Sequence, residues 1–257
     1  MKTLLRVVVF YGIAFVFTII LSVIQQTLGI DANKIVLPQF GPGLAALLML
    51  VLFRRDQLKL ALTFKGIPFL KYLGAVGIPI AVACLLFLVY RQFFGSLSVP
   101  RLDIASLSLM LGGMLLGAFG EELGWRGYLQ NLLDKRSNGL IAFLVVGILW
   151  GLWHVGNYQN GSNYMLFFVF STIGYSAVMG WLLRGTNYNV ILASLFHFGV
   201  NAGYYLLKDG LTDLRLIVLN GLLWLGAALL ITVLYRKEFL PLRRKKTLAQ
   251  SMQRETT

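Results

Sequence analysis

Glu121 and Glu122 stand side by side inside a long apolar run, with Arg126 one turn further on. The chain's only two histidines, His154 and His197, also fall in apolar stretches. An ionisable group at bilayer depth costs at least a few kcal/mol, so it persists where it has a function or a buried partner. The spacing separates the two acids. On an α-helix Glu122 and Arg126 are i, i+4 neighbours and form an ion pair, whereas Glu121 projects about 140° from Arg126 and cannot share it. Glu122 is then neutralised and structural. Glu121 is left to face a cavity, where a desolvated carboxylate suits a general base.

The elements that must position these groups are helices that span a membrane. The chain is 58% hydrophobic and only 13% charged, with a mean hydropathy of +0.75. That is too much apolar surface for a soluble domain of 257 residues. The apolar runs are long and not alternating, which implies helices and not a barrel. The expected fold is all-α, a polytopic integral membrane protein of about eight transmembrane helices in one bundle. The runs are 4–28, 37–53, 69–90, 107–131, 140–154, 164–183, 190–207 and 216–235. The second and fifth are short for a bilayer that needs about 20 residues, so six or seven spans remain an alternative count. Residues 1–257 read as a single membrane domain without internal repeat, with residues 107–207 as its chemical core and residues 236–257 as a basic tail.

The excess of basic residues, a net charge of +13, is uneven. With eight alternating spans and a cytoplasmic N-terminus, the inner side holds Lys2, Arg6, Arg54, Arg55, Lys59, Lys65, Lys71, Lys135, Arg136, Arg184, Arg236, Lys237 and the tail Arg243-Arg244-Lys245-Lys246. The outer side keeps Lys34, Arg91, Arg101, Lys208 and Arg215. This bias obeys the positive-inside rule and places both termini in the cytoplasm of a multi-pass protein of the cell membrane. The tail reads as a stop-transfer signal drawn to anionic membrane lipid, so no nucleic-acid partner is expected. Lone Cys84 permits no intrachain disulfide. The first run follows Lys2 and Arg6 like a signal peptide, yet it lacks a small-residue cleavage site and reads as a span. The segment 56–66, with Leu58, Leu60, Leu62 and Phe64 among charges, is amphipathic and expected on the cytoplasmic membrane surface.

Spacing also brings the chemical groups to one depth. The turn Lys135-Arg136-Ser137-Asn138-Gly139 joins the fourth and fifth helices as an antiparallel hairpin. Its middle is about 16 residues from both Glu121 and His154, and equal rise puts them level. His197 and Asn201, again i, i+4, arrive at comparable depth on the seventh helix. Gly113, Gly117, Gly120, Gly124 and Gly127 form a stripe on one face of the fourth helix, where a neighbour can approach closely. Taken singly, a membrane histidine or Asn201 can be no more than an interhelical hydrogen bonder. Glu121, His154 and His197 also make a possible zinc set. A proton-coupled transporter would use the same Glu and His, although no repeated pair of broken helices is present. HExxH and GxSxG motifs are absent, as are paired intramembrane aspartates.

Glu121-Glu122-x-x-x-Arg126, Trp150-x-x-x-His154 and His197-x-x-x-Asn201, in that order, resemble the three motifs of the CPBP intramembrane proteases. That family includes type II CAAX prenyl endopeptidases of the Ras-converting kind and bacterial relatives linked to bacteriocin processing or self-immunity. Phe40-Gly-Pro-Gly is also similar to the family, less specifically. One departure is Trp150, where the second motif usually has Phe. The resemblance implies hydrolysis of a peptide bond in a lipidated or membrane-associated peptide or protein, near the cytoplasmic leaflet and without a metal cofactor. Glu121 and His154 would activate water, His197 and Asn201 would stabilise the oxyanion, and Glu122 and Arg126 would hold the helix in position, with Trp150 packed beside His154. The alternative is a non-catalytic immunity or scaffold protein that binds a membrane-active peptide.

Overall fold

The computed structural model describes residues 2–54, 58–95, 97 and 103–240. Among these there is no strand, and every expected helix is present with its ends moved by a few residues. They are α1 (Lys2–Thr27), α2 (Gly41–Leu52, entered through a 3-10 turn, Leu37–Phe40), α3 (Phe69–Phe93), α4 (Ile104–Arg136), α5 (Gly139–Trp153), α6 (Ser162–Leu182), α7 (Val190–Leu206) and α8 (Leu214–Leu234). α1, α3, α4, α6 and α8 are long and apolar enough to cross a membrane, while α2, α5 and α7 are shorter. The chain is therefore a polytopic helical membrane protein. Of the basic tail, only the stretch to Leu240 lies within the described residues.

Polar residues start the helices. Asp103 accepts hydrogen bonds from the N–H groups of Ala105 and Ser106, Asn138 from that of Ile141, Asn189 from that of Leu192 and Asp213 from that of Arg215. Each satisfies donors that a helix start leaves without partners, a serious matter where water is scarce. Asn138 does so directly after α4 ends at Arg136, which produces the expected tight hairpin between α4 and α5.

α6 is the axle of the bundle, the most buried of the long helices. Small and hydroxyl residues let its neighbours close on it. Thr172 donates to the Gly147 carbonyl of α5 at 2.8 Å. A Cβ at Gly174 would come within 2.4–2.5 Å of Trp224 in α8, so that crossing requires glycine. The glycine stripe of α4 works as expected, against the α1–α2 connection and α2. A Cβ at Gly113 would overlap the Lys34 carbonyl, one at Gly117 would overlap the Gln39 amide, and one at Gly124 would lie 2.5 Å from Pro42.

Two features go beyond what the sequence predicts. α4 is not uniform: between its α-helical parts Ile104–Glu122 and Asn131–Arg136, residues Leu123–Gln130 form a π-helix. Such wider turns re-aim side chains and concentrate at functional sites. The amphipathic segment after α2 is described from Leu58, with residues 55–57 outside the described part, and it carries no helix as far as Phe64. Its every-other-residue apolar pattern suits an extended chain. It crosses the start of α7, where Val190 N–H donates to the Ala61 carbonyl at 2.9 Å and the Asn189 amide to the Thr63 carbonyl at 2.8 Å.

Successive connections alternate between two ends of the bundle. One end gathers 58–68, 137–138, 183–189 and 235–240, tied by Lys71 to the carbonyls of Leu182 and Arg184 and by Asn138 to the Leu240 carbonyl. The other end gathers the α1–α2, α5–α6 and α7–α8 connections with the last turn of α3 and the first of α4, tied by Tyr90 to Asp213 and by Tyr164 to the Leu211 carbonyl.

Candidate functional site

Glu121 and Glu122 are the last two α-helical residues of α4 before the π-helical stretch, and both are buried, at 1% and 0% exposure. Their partners differ as the spacing requires. Glu122 Oε1 receives Arg126 Nη1 at 2.8 Å, a pair whose two side chains have no exposure at all. The other guanidinium arm donates to Ser176 Oγ of α6 at 2.9 Å. Among the described residues Glu121 takes no direct bond from a cation. The Gln39 amide donates to its Oε1 at 2.9 Å and the Trp150 indole N–H to its Oε2 at 2.7 Å. It is a carboxylate held in the protein interior by two neutral donors.

Trp150 is the hub. Its ring lies 5.9 Å from that of His154 and 5.1 Å from that of His197, edge-on to both, and the Arg126 guanidinium stacks 4.2 Å from its centroid. One indole thus touches the acid, the guanidinium and both imidazoles, so α4, α5 and α7 do deliver these groups to one layer. The Phe usual at this position would keep the stacking but could not donate to Glu121.

The two imidazoles are oriented differently. His154 closes α5, and its Nδ1 lies 2.8 Å from the Trp150 carbonyl. A carbonyl only accepts, so Nδ1 carries hydrogen and the neutral ring presents the Nε2 lone pair. His197 Nδ1 lies 2.9 Å from Glu122 Oε1 and donates to it, which fixes that ring and leaves Nε2 for another partner. Spacing alone pairs Glu122 with Arg126 and misses this second bond. Asn201, one turn beyond His197, is half-buried, makes no side-chain hydrogen bond among the described residues, and lines a cavity of about 370 Å³. Gln39 lines the same cavity. Glu121 therefore does not face open space, as its unpaired position suggests it should. Gln39 stands between it and the cavity because Gly117 gives that amide room to lie against α4.

Gln39 and Ser176 are the site residues that sequence reasoning overlooks. The only signal for Gln39 is its place beside Phe40-Gly-Pro-Gly, and Ser176 has none beyond being a polar residue in an apolar run. The possible zinc set is not gathered: among the described residues no three His, Cys, Asp or Glu side chains are close enough to hold one ion.

Residues 103–203, which contain every motif residue of this cluster, match the family model described as Type II CAAX prenyl endopeptidase Rce1-like. Curated relatives are named lysostaphin resistance protein A. The protein of that name from Staphylococcus epidermidis is 30% identical over 202 residues, covering 75% of this chain and 52% of the relative. That from Staphylococcus haemolyticus is 25% identical over 222 residues, covering 82% and 60%, and that from Staphylococcus aureus is 24% identical over 220 residues, covering 82% and 52%. The chain thus spans about half the length of the curated relatives it matches. Acid pair, guanidinium, two imidazoles and carboxamide fall in the expected order within the matched stretch, and it is residues 103–203 that carry the likeness to the Rce1-like family of CPBP membrane proteins.

Proposed function

We propose that this protein is an intramembrane endopeptidase of the glutamic type, hydrolysing a peptide bond in a membrane-associated or lipidated peptide or protein. It lies in the cell membrane with both termini in the cytoplasm. The observation that carries the reading is the environment of Glu121, a buried carboxylate on neutral donors beside a histidine whose Nε2 is an acceptor. A water placed between Glu121 and His154 Nε2 donates one hydrogen to each and turns a lone pair toward the substrate carbonyl. As its oxygen bonds to that carbon, Glu121 takes a proton, and it returns the proton to the departing amine when the C–N bond breaks. The negative charge that develops on the carbonyl oxygen is met by Asn201 and His197. To donate there His197 would carry hydrogen on both ring nitrogens, its Nδ1–H already resting on Glu122. One buried donor of this kind is worth about 3 kcal/mol of transition-state stabilisation. Glu122, Arg126 and Trp150 touch no reacting atom and hold the others in place.

The experiment is cleavage of membrane-associated peptides by purified protein in detergent. Glu121→Gln and His154→Ala should each abolish cleavage while the proteins stay folded, and cleavage retained in Glu121→Gln sinks the mechanism. A second reading has specific support in the names of the curated relatives, which are resistance proteins. On that reading the pocket binds a membrane-active partner without cutting it, and cellular resistance would survive in Glu121→Gln.

A further inference from the structure

The way into the site is on the unexpected side. The cavity that Gln39 and Asn201 share is walled by the α1–α2 connection (Lys34, Val36), the first third of α4 (Met110, Met114) and the end of α7 with its following turn (Tyr205, Lys208). All of these belong to the end of the bundle that lacks the chain termini. The opposite end holds Lys59, Lys65, Lys71, Lys135, Arg136, Arg184, Arg236 and Lys237, against Lys34, Arg91, Lys208 and Arg215 at the cavity end. That difference orients the densely basic end toward the cytoplasm. We infer that the site is loaded from the extracytoplasmic side. A peptide segment at the outer leaflet enters between Lys34 and Lys208 and lays an apolar residue against Met110 and Met114. Its scissile amide then meets Asn201 and Gln39 at the cavity floor.

The chemistry of the cavity specifies the segment. Two methionines make an adaptable apolar wall that accepts varied side chains. Two primary amides at the floor can each donate to a peptide carbonyl and accept from a peptide N–H. Lys34 and Lys208 are exposed at the mouth, so a segment with an acidic flank is favoured over a basic one. Gln39 must swing from Glu121 Oε1 for water and substrate to reach the carboxylate, and a substrate carbonyl offers its amide an exchange partner.

The inference rests on the proposed peptidase reading, and its test separates the two. Cys84→Ser leaves a background without cysteine. In it, Lys34→Cys and Lys208→Cys should react with a membrane-impermeant maleimide on intact cells, and Lys65→Cys and Lys237→Cys only after permeabilisation. The reverse pattern overturns the inference whatever the activity. For the catalytic arm, quenched fluorescent peptides with an apolar centre and acidic or basic flanks are added to sealed membrane vesicles. Cleavage should occur in right-side-out and not in inverted vesicles, with Lys208→Glu slowing acidic-flanked peptides by about threefold to tenfold. Cleavage in inverted vesicles alone refutes the access route and keeps the peptidase. Correct labelling with no cleavage in vesicles or detergent keeps the route and removes the peptidase.

Discussion

Replacing Arg126 by methionine keeps a long, flexible apolar stem but removes the guanidinium bonded to Glu122. Both side chains are fully buried and the contact is 2.8 Å. Breaking a buried pair by deleting one partner costs about 3–5 kcal/mol, because the other charge is left without compensation. The bond to Ser176, about 1 kcal/mol, and the guanidinium stacked on Trp150, about 2 kcal/mol, fall within that loss and do not simply add to it. The remaining bond from His197 to Glu122 softens it, so about 4 kcal/mol is expected. At about 2–4 °C per kcal/mol for a chain of this size, the unfolding midpoint should fall by about 8–16 °C. The double variant Glu122→Gln/Arg126→Met removes both charges of the pair, and the amide oxygen still accepts from His197. The pair is joined through one oxygen only, and Glu122 Oε2 and Arg126 Nε have no partner among the described residues, so its burial is incompletely compensated to begin with. The double variant should therefore recover to within about 1–2 kcal/mol of the parent. Thermal unfolding in detergent, followed by tryptophan fluorescence, reads all three proteins. A single-variant cost under about 1 kcal/mol, or a double variant as unstable as the single, refutes the assignment of Glu122 to structure.

Trp150→Phe retains the aromatic contacts but takes the N–H from Glu121 Oε2, and should cost about 1.5–3 kcal/mol in the same unfolding assay, the usual worth of a bond to a charged group. Gly124→Leu forces a side chain into Pro42 and should cost about 1–3 kcal/mol through the α2–α4 contact, again read as a lowered midpoint. At the start of α8, hydrogen bonds from Arg215, joined by the Tyr90 hydroxyl, hold the Asp213 carboxyl well below the usual carboxylate range. A depressed value in the fold means its stabilisation is complete above the unfolded value of about 4 and is lost as pH falls below it. Unfolding midpoints of the parent and Asp213→Asn should thus differ at neutral pH and converge in acid.

Much of this site is legible from spacing because helices convert spacing into geometry. The Glu122–Arg126 pair, the glycine stripe and the common depth of Glu121, His154 and His197 need only the α-helical period and the position of one turn. What escapes are contacts between distant segments. Gln39 reaches Glu121 from the α1–α2 connection, and nothing local marks it. Trp150 reads as packing from its type, since a lone indole N–H announces no acceptor. The second bond of Glu122, to His197, depends on the relative rotation of α4 and α7, which no single-helix pattern contains. The π-helical stretch Leu123–Gln130 is invisible for a similar reason, its glycines and aromatics being compatible with an ordinary α-helix. For the segment after α2, its charges and leucines mark it as amphipathic, and the alternation of Leu58, Leu60, Leu62 and Phe64 favours the extended path it takes.

The two histidine-bearing helices are short. α5 has 15 residues and α7 has 17, or about 22 and 26 Å of rise, against a hydrocarbon slab of about 30 Å. Lipid beside α5, where Ile141, Ile148 and Leu152 are exposed, must compress to avoid hydrophobic mismatch, and the thinned bilayer draws the aqueous interface down toward His154. Hydrolysis inside an oily bundle needs a supply of solvent, and here the stature of the helices would furnish it. On the proposed peptidase reading, acyl-chain length in the surrounding lipid becomes a control on turnover, with long-chain bilayers starving the reaction of its second reactant.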